Sequence, residues 1–361
     1  MTKTLLASTL ALVVFLAMGS AHGAVRIASW NTLHLGYNND KDYAQVAAVV
    51  SRFDLVGLQE VMDRPAIEQL VATLEQQTGQ DWNSTMSHEV GRSSYKEAYA
   101  FVWRTSAIEH KQGDATYLDP GDRFAREPFS SVFSDRASGQ AFVMGIVHIV
   151  FGDSQADRRP EIRELDRYWA WLNESYRMPV ILAGDFNTPP GDPAWRELRT
   201  DAEPLITRGA TTIGTTPGEY VSLYDNIWVE AGRLNVSSAG IADFPSWLGL
   251  SNTAARDHVS DHLPVYMTLG SVRVDSGQVR RQAKAEKGSR KATPTASRSN
   301  CIDINTASAE ALDRLDHVGP AYAQKIIAGR PWRSLSELSQ ISGISNGYVD
   351  DIRAGGQTCA F

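Results

Sequence analysis

Residues 179–187 read PVILAGDFN. Four of the first five residues are apolar, which suits a buried strand. Gly184 then breaks the run, and Asp185 and Asn187 follow two positions apart. Alternate residues of an extended chain point the same way, so a carboxylate and a carboxamide would leave the strand on one face. Gly, Asp and Asn also end many strands because they tolerate turn geometry and bond their own backbone. The stretch alone therefore reads as a strand followed by a turn, and the rest of the chain decides whether its polar end does more.

The chain has 361 residues, room for one large domain and one small one. Its 42% apolar and 21% charged residues are ordinary for a folded soluble protein, and a net charge of −7 argues against a simple nucleic-acid-coating protein. Residues 1–23 read as a signal peptide: Lys3, then LLASTLALVVFLAM, then small residues, with cleavage after Ala21 or Gly23. The apolar run is short for a membrane span, so the expected location is extracellular or periplasmic. The two cysteines, Cys301 and Cys359, flank the last segment. In an oxidising compartment they are expected to pair, a loop closure that stabilises by about 4 kcal/mol.

Charge is uneven along the chain. Residues 24–270 carry −12, residues 271–300 carry +6 and residues 301–361 carry −2. The middle block is rich in Lys, Arg, Ser, Gly and Pro with few large apolar residues, and reads as a basic disordered linker. The large block alternates strands and helices. Strands are expected at 25–31, 54–60, 99–104, 129–133, 140–150, 179–185, 223–230 and 263–270. Helices are expected at 42–53, 65–79 and 157–175. The aromatics of RYWAWL (167–172) suit helix packing better than a base-stacking platform.

Strand after strand ends on a chemically capable residue. Asn31, Glu60, His148 and Asp185 close four of them, and Asp261 and His262 precede another. Sheets hold such terminal groups rigidly. With Glu97, Asp225 and Asn187 the inventory is five acids, two amides and two histidines. The oxygen donors suit Mg²⁺, Mn²⁺ or Ca²⁺ rather than Zn²⁺. There is no cysteine cluster, no HExxH, no Gly-rich nucleotide loop and no GxSxG. Two histidines with carboxylate partners suit general acid–base work, one taking a proton from water and the other protonating the departing oxygen. A divalent ion would neutralise charge on a phosphoryl centre. These parts together make a phosphodiester hydrolase. His34, His88, His110 and His258 stand outside any motif and receive no role.

SWN, LQE, GDFN and SDH, in that order, resemble the endonuclease/exonuclease/phosphatase superfamily, and within it the deoxyribonuclease I-like enzymes. GRSSYKEAYAFVWR (91–104), FAREPFSSVF (124–133), VHIV (147–150), YDNIWV (224–229) and GLSNTAARDHVSDHLPV (249–265) extend the resemblance over nearly all of 25–270. It implies an α+β fold: a four-layered sandwich of two packed mixed β-sheets flanked by helices. It implies that Asn31, Glu60, Asp185 and Asp261 surround metal and scissile phosphate, with Asn187 on the phosphate. His148 would be held by Glu97 and His262 by Asp225. Arg126 would bind a backbone phosphate, and Tyr95 and Arg92 would lie in the minor groove. Asp119, Asp122, the Phe124 carbonyl and Glu127 match a family calcium loop, although a solvated acidic loop reads the same. Met62 stands where these enzymes carry Arg, with Arg64 nearby. The family's core disulfides are missing, and GATTIGTT (209–216) offers no acidic ligand for a second calcium.

Residues 303–353 resemble a tandem helix–hairpin–helix domain of the kind found in DNA-uptake proteins, a small all-α unit whose turn N–H groups bind phosphate. The turns read His317-Val318-Gly319 and Gly343-Ile344-Ser345, where the family has Gly-hydrophobic-Gly. The expected layout is signal peptide 1–23, catalytic domain 24–270, linker 271–300 and DNA-binding domain 301–361. The expected function is a monomeric, secreted, Mg²⁺-dependent endonuclease acting on double-stranded DNA and leaving 5′-phosphates. The rivals are a phosphodiesterase for lipid head groups or inositol phosphates and a non-catalytic DNA receptor. SYKEAY argues against the first and the intact acid–histidine set against the second.

Overall fold

The structure, a computed structural model, describes residues 24–37, 40–92, 95–216, 218–275 and 302–359, omitting 308–311, 313–314, 316–317, 319, 342–343, 345–347, 350–351 and 354–357. The expected signal peptide, most of the expected linker, Cys301, Gly319 and Gly343 lie outside the described residues. The chain divides into two compact units, residues 1–279 and 280–361.

Two mixed sheets build the first unit. One joins β1 (Val25–Leu35), β2 (Leu55–Val61), β3 (Trp82–Met86), β4 (Ala98–Arg104), β12 (Val236–Ile241) and β13 (Val265–Leu269), in the order β12-β13-β1-β2-β4-β3. The other joins β5 (Ile108–His110), β6 (Ala115–Thr116), β7 (Phe129–Asp135), β8 (Ala141–His148), β9 (Val180–Asp185), β10 (Glu203–Pro204) and β11 (Asp225–Val229). Its order is β10-β11-β9-β8-β7-β5, with β6 on β7. β1 and β2 are parallel, as are β8 and β9, and the remaining pairs are antiparallel.

Period-2 alternation explains why the central strands read as continuous apolar runs. Ile27, Tyr99, Phe101, Phe142, Ile146, Ile181 and Ala183 meet between the sheets. Their neighbours Ala28, Trp30, Ala100 and Val102 face outward onto α1 (Tyr43–Val50) and α2 (Arg64–Thr78). Val143, Val147, Val180 and Leu182 face the other way, onto α3 (Gln155–Tyr176). Helix, sheet, sheet and helix make four layers, the expected sandwich. Tyr168 and Trp169 of RYWAWL are buried under α3, as helix packing requires.

The expected elements are present with shifted ends. β1 runs four residues past Asn31, with a register shift between Asn31 and Leu35 and left-handed backbone at Leu33 and His34. β12 was not anticipated: VSSAGI exposes or half-exposes every residue of an edge strand, so its apolar signal is weak. The short helices α4 (Phe244–Leu248) and α5 (Asn252–His258) fell below the length at which helical period is legible. In the second unit, a helix Pro320–Ala328 and a 3₁₀ turn Leu335–Gln340 pack around Ile304, Leu312, Ala323, Ile326 and Leu338.

Candidate active site

Three adjacent strands of the second sheet bring chemistry into one row. His148 pairs in register with Asp185 across β8 and β9, and Asp225 pairs with Asp185 across β11 and β9. Gly184 makes the row possible. Its φ is +153°, and a Cβ there would lie 2.0 Å from the Val147 carbonyl oxygen. The glycine in PVILAGDFN is thus required by the close approach of β8.

Asn187 does not continue the strand face. Its φ is +47°, and its backbone N–H donates to Asp185 Oδ1 at 2.9 Å. The Asp side chain bonds the chain two residues on, which is turn chemistry. Asn187 Nδ2 donates to the Ile149 carbonyl at 2.9 Å, tying this turn to the loop after β8. The turn reading holds and the shared strand face does not: Asp185 is the centre of the site, and Asn187 sits in the turn beside it.

The first sheet supplies the opposite wall. Asn31 Nδ2 donates to Glu60 Oε1 at 2.9 Å and to Asp185 Oδ2 at 3.1 Å. Glu60 has φ +55° inside β2, where the register to β4 shifts between Leu58 and Val61. Such a bulge re-aims one side chain, and here it turns the carboxylate toward Asn31. His148 Nδ1 lies 2.8 Å from Glu97 Oε1, and His262 Nδ1 lies 2.8 Å from Asp225 Oδ2. A carboxylate only accepts, so each ring presents Nε2 to the centre. Both Nε2 atoms lie 3.6 Å from Asp185 Oδ2. Glu60 Oε1 is 3.8 Å from His148 Nε2, and Asp261 Oδ1 is 4.0 Å from His262 Nε2.

The electrostatics follow from burial beside opposite charge. Burial works against ionisation of Glu97, but His148 and Arg126 more than offset it and hold the carboxyl below its ordinary value. Burial and Arg126 pull His148 down, while Glu97 and Asp185 carry it above the ordinary imidazole value. Burial opposes the charge on His262 as well, yet Asp225, Asp185 and Asp261 raise it well above that value. Burial pushes Asp225 up to about 6 against the pull of His262.

The other expected residues are distributed more widely. Arg126 is nearly buried: Nε donates to the His148 carbonyl and Nη2 to the Ile149 carbonyl, both at 3.0 Å, and Nη1 is 3.6 Å from Glu97 Oε2. It underpins the end of β8 from below. Tyr95 hydrogen-bonds the Glu97 side chain, and burial, Glu60 and Glu97 raise its phenol above the ordinary value. Arg92 is ion-paired to Asp122 at 2.8 Å, away from the central row. In the 119–127 loop, Asp119 Oδ2 accepts the Phe124 N–H at 2.7 Å, while the buried Oδ1 has no hydrogen-bond partner.

Several supporting residues escaped sequence reasoning. His34, given no role above, donates its backbone N–H to Glu60 Oε2, and its Nε2 is 3.2 Å from the same oxygen. Its ring meets the edge of Tyr95. Ser260, the Ser of SDH, donates Oγ to the Asn31 carbonyl at 2.7 Å and accepts the His262 N–H at 3.0 Å. Thr211 Oγ1 accepts the N–H groups of Tyr224 and Asp225. Arg158 and Glu161, buried one turn apart on α3, hold the Asn187 carbonyl and the N–H groups of Ala125 and Val150. Ser260 was legible inside its motif; the others depend on contacts between segments distant in sequence.

Residues 28–262 match the Endonuclease/Exonuclease/phosphatase family, and residues 297–354 match the Helix-hairpin-helix motif. The chain is 42% identical over 358 residues to the deoxyribonuclease of Thioalkalivibrio sp. (strain K90mix), which covers 96% of each chain. It is 29% identical over 268 residues to deoxyribonuclease-1 of Bos taurus, covering 68% of this chain and 92% of the relative. With deoxyribonuclease-1 of Homo sapiens the figures are 30% over 283 residues, 72% and 97%.

Proposed function

Because the chain belongs to the endonuclease/exonuclease/phosphatase family, we propose that it is a secreted, divalent-metal-dependent endonuclease that hydrolyses phosphodiester bonds of DNA. The observation that carries this reading is the symmetric pair of carboxylate-held histidines, each with Nε2 3.6 Å from Asp185 Oδ2. Two proton carriers facing one acid are what in-line hydrolysis of a diester needs, one on each side of phosphorus.

The donor set fits a hard divalent ion. Glu60, Asp185 and Asp261 offer oxygens, and Asp261 Oδ1 is buried without a hydrogen-bond partner, whereas Asn31, expected as a ligand, turns its Oδ1 to the Leu33 N–H and its Nδ2 to Glu60 and Asp185. Asp185, Asp225 and His262 also gather within 4.8 Å of one another, but Asp225 Oδ2 is committed to His262 Nδ1, and a hard ion prefers carboxylate oxygen to imidazole nitrogen. We therefore assign the ion to the oxygen donors and the histidines to proton transfer. Mg²⁺, or Mn²⁺ in its place, would neutralise the charge that develops on the phosphoryl oxygens. The chain's own groups do the rest. Glu97 and Asp225 fix each imidazole and keep Nε2 presented. One Nε2 accepts the proton of the attacking water, and the other delivers a proton to the departing oxygen, leaving a 5′-phosphate. Asn187 keeps one Nδ2 hydrogen for the phosphate beside its bond to the Ile149 carbonyl, and Asn31, with both Nδ2 hydrogens on Glu60 and Asp185, holds those two carboxylates in place.

The remaining assignments complete the proposal. Tyr95 and Arg92 contact the minor groove, and Arg126 adds positive charge beneath the phosphate. Ca²⁺ would sit on the unpartnered Asp119 Oδ1, with Asp122, the Phe124 carbonyl and Glu127 around it. The turns at Gly319 and Gly343 bind DNA backbone, and Cys301 pairs with Cys359. The test is nicking of supercoiled plasmid with and without EDTA, beside Glu60→Ala. Wild-type protein should nick, EDTA should abolish it, and the variant should be nearly inactive and partly restored by high Mn²⁺. Full-rate cutting in EDTA sinks the metal assignment, and no cutting under any divalent ion sinks the nuclease.

A further inference from the structure

Large apolar side chains are normally buried, and a single exposed one needs no explanation. Phe151 differs in how it is fixed. It is 60% exposed, three residues beyond His148. Its ring lies over the Arg158 guanidinium, 4.4 Å from the centroid, and Arg158 Nε donates to its carbonyl at 2.5 Å. Arg158 is itself buried. Its Nη1 donates to the Asn187 carbonyl at 2.6 Å and to the Tyr224 hydroxyl at 3.1 Å, and its plane lies 5.3 Å from the Tyr224 ring. Tyr224 is followed directly by Asp225. One immobilised arginine thus fastens Phe151 to the Asn187 turn and to the strand carrying Asp225. The inner face of the ring is occupied and the outer face is turned to solvent.

We infer that Phe151 is a DNA contact, packing its outer face against the sugar–base surface of the nucleotide beside the scissile phosphate. The inference rests on reading the chain as a nuclease of DNA. The −12 charge of residues 24–270 is unfavourable for a polyanion, so an apolar contact that salt does not screen gains in importance. An aromatic face suits any nucleotide, since every base has a π-face, and gives affinity without sequence preference. Cation–π packing on Arg158 holds the ring before the substrate arrives, so little side-chain freedom is lost on contact.

The test uses the full-length protein with Phe151→Ala, Phe151→Leu and Phe151→Trp, measuring kcat and KM for plasmid nicking and the melting temperature. Phe151→Ala is expected to raise KM about tenfold, with the loss falling on KM rather than kcat. Phe151→Trp should restore KM, and Phe151→Leu should not. An unchanged KM in Phe151→Ala overturns the inference. So does a fall in kcat accompanied by a lower melting temperature, which would make the ring only a cover for Arg158. Wild-type protein that cuts no DNA refutes the nuclease reading itself, a result separate from any difference among the variants.

Discussion

His148 and His262 each have one nitrogen held by a carboxylate, which on the proposed mechanism leaves the other for proton transfer. Replacing His148 or His262 with Ala should lower plasmid nicking by at least about 10²-fold with circular dichroism unchanged, and the double variant should be little worse than either single one. Near-wild-type nicking by a single variant removes that residue from proton transfer. Asp225 makes a sharper test. Its carboxylate raises His262, so Asp225→Asn should lower the His262 value. The limb of the pH–rate profile that belongs to His262 should therefore move to lower pH, while the other limb stays. Limbs that both stay in place would detach His262 from the profile. These residues were legible from sequence because each stands in a short motif at a strand end. His34 was not. It carries no motif, and its contact with Glu60 depends on two left-handed residues that bend the end of β1.

Among the elements, β9 carries the most. Its residues alternate between two cores, and its last pair, Gly184 and Asp185, has to pass within reach of β8. Gly184→Ala would force a Cβ onto the Val147 carbonyl in left-handed backbone. Strain and clash of that kind cost about 2 kcal/mol or more, so the melting temperature should fall by several degrees and nicking should fall further, as Asp185 is displaced. A variant that melts and nicks like the wild type would mean that the backbone can relax there. The strand itself was plain in the sequence, since its run is apolar and bounded. The alternation across two cores was hidden because both faces are buried, while the turn was legible in Gly184, Asp185 and Asn187 and is what removes the shared face expected of the two side chains. β12 and the short helices were invisible for the opposite reason, too few apolar residues per element.

At the scale of the whole molecule, an acidic catalytic unit is followed by a basic stretch and a unit matching a DNA-binding motif. All of the +6 of residues 271–300 falls within residues 280–300, at the start of the second unit. A chain ending at Val279 keeps the first unit and the Arg52–Asp275 ion pair, and should fold and nick at low salt. It should lose activity at lower NaCl than the full-length protein, since tethering raises the local concentration of substrate. Parallel salt curves would assign residues 280–361 a task other than DNA retention. The first unit has a seam of its own. Asn31, Glu60 and Glu97 stand with one sheet, and His148, Asp185 and Asp225 with the other, yet Asn31 and Asp185 are 3.1 Å apart and Glu97 and His148 2.8 Å. Sliding one sheet along the other by an ångström would break neither sheet, but would pull acid from base. On the proposed mechanism, turnover is therefore a strain gauge for sheet alignment. A swap deep between the layers, for instance at Gly57, where a Cβ would sit 2.6 Å from Ile146, should slow nicking by a larger factor than its loss of melting temperature alone would predict.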